Sequence, residues 1–336
     1  MTLQFPTTQE ITHVVRNRAY PVEQYIGRSF CPVTPLYTYE IKYDELGATV
    51  GMTKAHQVGT NPKTAPVPIM EEKRIGTAYW KETSRINEKE LLEARAAGSF
   101  NQRAGRDLVM LRAMSFDIRL ETRIEWLAWK ATEGHIQVNE DGVKYDVKYK
   151  ILDKNKVTVP IAWADPNADI IADINDALLL YRGTGGKAQT IYFNDATAAL
   201  IAKNKGFRDL LKYTSVSITG IGTVIPGLSL MIPGVKFVMY DGGYMDEEEK
   251  FQPFIPDGSV RIIGGYPGEK LMDFGSTISL HNGGLDKPQP GKFSIVEDKS
   301  SHEKNPHIDI TVGIYGLPRL FHPNWIIDIK QPQEVI

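Results

Sequence analysis

The spacing of apolar residues changes period along the chain, and each change marks an element. From Arg106 to Gly134 neither Gly nor Pro intervenes; Leu111, Met114 and Ile118 recur at i, i+3, i+7, and Leu120, Ile124 and Leu127 at i, i+4, i+7. This predicts one long helix over 99–134, a spine for the rest of the fold. Arg112, Asp117, Arg119, Glu121, Arg123, Glu125 and Lys130 lie between the apolar positions. Asp117 with Glu121, and Glu121 with Glu125, are like-charged pairs one turn apart, which weaken an isolated helix. The expectation is that other chains supply the opposite charges.

Upstream, residues 1–30 read as an arm. Thr7 or Thr8 can cap a short helix through Val15, and Pro21 and Gly27 interrupt anything longer. The arm holds too few apolar residues to fold alone. From Thr34 the period becomes two: Tyr37, Tyr39, Ile41 and Tyr43 alternate with Thr38, Glu40 and Lys42, a strand with two unlike faces. Asp44–Gly47 reads as a turn and Ala48–Met52 as a returning strand. A polar run, Gln57–Pro68, and an extended stretch, Ile75–Trp80, complete a long hairpin with a loose tip. Such a hairpin is marginal by itself in water, so it and the arm are expected to be covered by neighbouring copies. Asn87 caps a helix over Glu88–Ala97, ended by Gly98.

Past the spine, Ile136–Asn139 and Val143–Tyr149 flank the turn Asn139-Glu140-Asp141-Gly142. Asp165-Pro166 reads as N-cap and first helical residue of a helix burying Ile170, Ile174 and Leu178, closed by the glycine-rich run from Gly183. Strands Gln189–Phe193, Ser215–Thr219 and Val235–Tyr240 alternate with helices Asp195–Lys203 and Phe207–Lys212, an α/β unit. Tyr244–Asn305 reads as loop-rich. Ile308, Ile310, Val312 and Ile314 define a strand, and Trp325–Ile329 a last one. Trp126 and Trp129 are expected to pack on a sheet and Trp80 to anchor the hairpin base.

The chemistry that could define an enzyme is missing from the pattern. Gly183-Thr-Gly185-Gly-Lys187-Ala188 has neither a first glycine at Tyr181 nor Ser or Thr after Lys187, and it closes a helix instead of opening one. His302 and His307 lack helical zinc spacing, Ser229 lacks the glycines of a nucleophile elbow, and Asp246–Glu249 reads as a solvated loop. Hence no catalytic, cofactor-binding or metal-binding residue is nominated, and no cofactor. The 336 residues suffice for two domains or one with long excursions, and a formal net charge of −2 gives no electrostatic drive toward nucleic acid or membrane. The single cysteine, Cys31, excludes an intrachain disulfide and suits a reducing cytoplasm. Neither a secretory signal nor a stretch of membrane-spanning length is visible, the apolar run Val224–Tyr240 being broken by Pro226, Gly227, Pro233 and Gly234.

Several segments, in order, carry a resemblance. Trp80-Lys-Glu-Thr-Ser-Arg-Ile86 with Leu91-Leu-Glu-Ala-Arg95, Arg119–Gly134, Trp163-Ala-Asp-Pro-Asn-Ala-Asp169, Ile255-Pro-Asp-Gly-Ser-Val260 and Gly316–Pro323 together resemble the major capsid proteins of tailed phages, most closely the lambda-like phage capsid protein E family. The resemblance implies an α+β tailed-phage capsid fold: an N-terminal arm (1–30), an extended β-hairpin E-loop (31–85), a peripheral domain with the spine helix (86–160 and 306–336) and an axial α/β domain (161–305). It implies a major capsid protein assembled in a host cytoplasm into the icosahedral head around double-stranded DNA, as homo-oligomeric hexamers and pentamers without sequence-specific DNA binding and without a membrane. Implied partners are a portal, a scaffold, a maturation protease and a decoration protein. A start at Met1 argues against a large cleaved N-terminal scaffold domain. Covalent crosslinking, seen in some relatives, would need a specific Lys and Asn pair, for which Lys54 and Lys63 are only nominal candidates. Two other readings stand beside this one: an encapsulin-type compartment shell, and a soluble α/β enzyme centred on 161–250.

Overall fold

The spine helix is present almost as read, Gln102–Glu133, closed by Gly134 at φ 88°, a conformation glycine adopts without strain. The computed structural model of the 336-residue chain describes residues 6–21, 23–47, 51, 52, 55, 57, 58, 61, 69–93, 102–140, 143–212, 214, 216–299 and 304–332. It is a mixed α+β fold in two units. The first comprises 1–42, 74–128 and 273–319; the second comprises 43–73, 129–272 and 320–336.

The first unit is organised by the long strand His307–Leu320. Residues 307–315 pair antiparallel with Tyr79–Asn87 on one side, and residues 308–313 with Phe293–Asp298 on the other. Met272–Ser276 continues the sheet, with the short strand Val33–Pro35 parallel to it. Ile308, Ile310, Val312 and Ile314 are buried, as their alternation requires. The Trp80 indole N–H donates to the Gly316 carbonyl at 2.9 Å, tying Tyr79–Asn87 to the sheet.

In the second unit five strands lie in the order Lys156–Thr158, Ile326–Lys330, Ser259–Gly265, Lys187–Phe193, Lys236–Met239. The central strand, Ser259–Gly265, is buried at all seven positions. Its Arg261 is held by Asp328 (3.1 Å) and the Thr132 carbonyl (3.2 Å). Trp129 stacks on Tyr240 and meets Tyr192 edge-on, so it packs against this sheet as expected. Helices Ile170–Leu179, Asp195–Lys203 and Lys205–Leu211 match the apolar periods.

Several expectations are corrected. Tyr244–Asn305 is not loop-rich: it supplies the buried strands Ser259–Gly265 and Met272–Ser276 as well as Phe293–Asp298. A strand buried on both faces loses the alternation that marks a half-exposed one. The helix after Asp165 begins at Ile170 with Asp169 as cap, accepting from Ala172 N at 3.0 Å, because the Asp165 carboxylate instead accepts from Asn167 N at 2.8 Å and closes a turn. Val224–Met231 is a helix despite Pro226 and Gly227: Pro is tolerated in a first turn, and a Cβ on Gly227 would come within 2.8 Å of Leu211 Cδ1. Residues 216–219 form no strand. Thr34–Tyr43 is not one strand but two, Val33–Pro35 and Ile41–Gly47, interrupted by irregular residues 36–40. Asp44–Gly47 is strand, not turn, because Ile41–Gly47 pairs with Ile69–Ile75; a return over Ala48–Met52 falls largely outside the described residues. The helix from Glu88 is described to Glu93.

Candidate assembly interface

In its first half the spine helix buries a face that its apolar periodicity does not mark, whereas Leu120, Ile124 and Leu127 in its second half are buried as their spacing requires. Leu111 and Ile118 are exposed, at 64% and 38%, whereas Val109, Ala113, Asp117, Glu121, Ile124 and Glu125 are buried. Three carboxylates at i, i+4, i+8 thus point into the first unit. Leaving them unpaired would cost on the order of several kcal/mol each, because a buried ion forgoes its hydration.

The opposite charges come from the same chain, which corrects the expectation of partners in other chains. Lys292 bridges Asp117 and Glu121. Arg28 also engages Glu121, its Nε donating at 3.0 Å. The Tyr20 hydroxyl donates to Asp117, and the Gly27 backbone N–H donates to Glu125 Oε1 at 2.6 Å. Gly27 is required there: a Cβ would stand 2.6 Å from Glu125 Oε2. Arg18 donates to the Met114 carbonyl at 3.1 Å and lies over the Tyr20 ring, which meets Tyr25 edge-on. Burial alone would raise the Glu121 pKa; Lys292 and Arg28 overcome it and hold the carboxyl below its usual range. Burial, reinforced by Asp117, pushes the Tyr20 phenol up.

The start of the arm is secured differently. Thr7 caps the helix Thr8–Asn17 in a reciprocal box with Glu10. The helix buries Ile11 and Val15 and lies on the edge strand Phe293–Asp298. There the hydroxyl of Thr12 accepts from Ser294 N at 3.2 Å and that of Thr8 from Val296 N at 3.0 Å, so side chains occupy backbone donors an edge strand would otherwise offer to another chain. The arm, expected to need neighbours, docks on its own subunit.

The hairpin, in the second unit, is built otherwise. Tyr43 is buried edge-on to Phe321, and Leu46 N donates to the Phe321 carbonyl at 2.8 Å. Glu45 is buried with Lys73 3.9 Å away, and burial raises its pKa despite that lysine. Farther out the side chains turn to solvent: Met52 is 94% and Val58 fully exposed, and Met70 is 61% exposed. Lys54 and Lys63 lie outside the described residues.

Residues 7–278 match the family described as phage major capsid protein E. The chain belongs to that family. A curated relative, the major capsid protein of Salmonella phage Felix O1, is 25% identical over 284 residues, 75% of this chain and 76% of its own. A prophage protein of E. coli CFT073 described as a capsid protein has a solved structure that superposes with TM-score 0.66 at 16% identity, covering 98% of this chain and all of that one. The capsid of Myoviridae phage XM1 superposes at 0.50 and 14% identity, over 99% and 96% of the two chains. Phage major capsid protein E is a structural family, not an enzyme family, so the α/β enzyme reading of 161–250 falls. The chain is a capsid subunit that self-assembles into a shell and forms part of a virion.

The residues that serve this family member locally were missed in part by pattern reading. Ser229 sits on the helix Val224–Met231, and residues 183–186 form a turn with Gly183 and Gly185 at positive φ that leads into the strand Lys187–Phe193. His307 Nδ1 lies 2.6 Å from the Asn305 carbonyl; His302 is outside the described residues. Among the described residues no group of three acidic, His or Cys side chains could hold a metal, and no helix is long and apolar enough to cross a membrane. The residues that matter most, Arg28 and Lys292, lie 93 and 171 positions from Glu121, and no local pattern joins them.

Proposed function

We propose that this subunit builds the icosahedral head around phage double-stranded DNA, as hexamers and pentamers assembled in the host cytoplasm, with a portal, a scaffold and a decoration protein as partners. In this reading 1–30 is the arm, 31–85 the E-loop, 86–160 with 306–336 the peripheral domain and 161–305 the axial domain. The observation that carries it is the hairpin: exposed Met52, Val58 and Met70 extend from a base that is packed. Apolar side chains so exposed gain about 1.5–3 kcal/mol each when fully covered, and closed symmetry repeats that gain around the shell. Leu111 and Ile118 on the spine helix add a second apolar stripe, in the first unit.

The test replaces residues 48–68, between the two described strands, with a short Gly-Ser linker, and images the product by electron microscopy. A folded subunit that forms no shells supports the proposal; intact shells from the shortened chain contradict it. Shells carrying protein cargo in place of nucleic acid would favour the encapsulin-type reading.

A further inference from the structure

Beneath the docked arm, in the first unit, lies a recess of about 540 Å³ lined by Arg16, Arg18, Arg28, Lys292 and Glu121, with Tyr20 at its wall. Its charges do not balance. Lys292 and Arg28 are engaged by Asp117 and Glu121. Among the described residues no carboxylate pairs with Arg16 or Arg18: Arg16 Nε donates to the Lys292 carbonyl at 2.7 Å, and Arg18 Nη1 donates to the Met114 carbonyl. Neutral carbonyls take one donor from each guanidinium and leave the charge uncompensated. Among the described residues the recess therefore sets four cations against the lining Glu121 and the Asp117 that Lys292 reaches, an excess of two.

We propose that this recess binds a phosphate-class dianion between Arg16 and Arg18. Guanidinium forks match tetrahedral oxyanions with paired N–H donors. A phosphate near −2 cancels the excess, which a lone carboxylate does not. The recess is also far larger than one side-chain carboxylate needs. Two sources supply this charge on tetrahedral phosphate oxygens: free inorganic phosphate, and the backbone of nucleic acid, where two successive phosphodiesters carry one negative charge each. Either would strengthen the hold of the arm, because the same recess contains Arg28 and Lys292. The claim is independent of the shell's contents, so it can fail while the capsid assignment stands.

The experiment measures thermal unfolding and calorimetric binding of the full chain with sodium phosphate, sodium acetate or sodium chloride at matched ionic strength, alongside a short DNA duplex. Phosphate is expected to raise the midpoint and the other two salts are not. In Arg16→Gln/Arg18→Gln, phosphate affinity is expected to fall at least about tenfold, the scale of losing charge-assisted hydrogen bonds. Arg106→Gln, which removes only the pair with Glu10, keeps the wild-type response. Should the double variant not fold, Arg16→Gln alone reads the same difference. Duplex affinity that falls with phosphate affinity identifies the nucleic-acid backbone as the source; duplex affinity unchanged while phosphate binding is lost identifies free phosphate. Equal responses to phosphate and acetate, or a wild-type phosphate response in the double variant, would overturn the proposal.

Discussion

The arm and the hairpin look alike in sequence, both polar, both short of apolar residues, both unable to fold alone, yet the fold treats them oppositely. The arm's polar groups find partners in their own subunit: the hydroxyls of Thr12 and Thr8 accept from the backbone N–H groups of Ser294 and Val296 at the edge strand, while Tyr20, Arg28 and the Gly27 N–H donate to Asp117, Glu121 and Glu125 on the spine. The hairpin packs Tyr43 at its base and then presents Met52 and Val58 to water. Polar segments can be completed by directional bonds over short reach, whereas exposed apolar side chains need area, and a single subunit leaves that area uncovered. In the proposed reading shell formation draws on the hairpin, while the arm is held by its own subunit.

The contrast can be broken most forcefully at Lys292. Lys292→Ala removes the one cation shared by two buried carboxylates, leaving Asp117 to the neutral Tyr20 hydroxyl and Glu121 to Arg28, and is expected to cost about 3–5 kcal/mol, the scale of breaking a buried ion pair, read by denaturant unfolding of the unassembled subunit. A smaller step is Gly27→Ala, whose Cβ meets the Glu125 carboxylate at 2.6 Å; overpacking of this kind costs about 1–3 kcal/mol, and fluorescence of the unassembled subunit would register it. On the other side of the comparison, Met52→Ser with Val58→Ser should leave subunit stability within about 0.5 kcal/mol, as for exposed positions generally. The same pair should lower the yield of shells by sedimentation.

The pH dependence separates the two regions by sign. Glu121 is held below its ordinary value of 4.5 by Lys292 and Arg28 against the opposing effect of burial. The unfolded chain takes up its proton first, so the arm's stabilisation is complete above that value and drains away as pH falls through the folded one. Glu45 is raised above 4.5 by burial, which Lys73 only partly offsets. Its folded form binds the proton first, and acidification from neutrality stabilises the hairpin base. Limited proteolysis between about pH 7 and pH 3, with cleavage sites mapped by mass spectrometry, should show base cleavage falling as pH drops from neutrality toward about 4.5 and arm cleavage rising only below it.

Much of this was legible in the residues, and the gaps have physical reasons. Uninterrupted helical spacing located the spine, and the alternation of Ile308 to Ile314 located the long strand. The buried strand Ser259–Gly265 escaped because Arg261, Gly264 and Gly265 dilute an apolar run whose burial depends on tertiary partners, Asp328 among them. Apolar periodicity also chose the wrong face for the first half of the spine, marking Leu111 and Ile118, which are exposed, over Asp117, Glu121 and Glu125. Carboxylates belong in a core only when their counter-charges arrive with them, and Arg28 and Lys292 arrive from far along the chain. The same distance hid the docking of the arm.

Amide hydrogen exchange, followed on unassembled subunits and on shells of the same protein, compares the two regions directly. The account predicts that amides around 18–31 are protected in both samples, whereas the hairpin beyond residue 47 gains protection only in shells. Rapid exchange of the arm in the free subunit, slowed on assembly, would show that sister copies, not Asp117, Glu121 and Lys292, hold it in place.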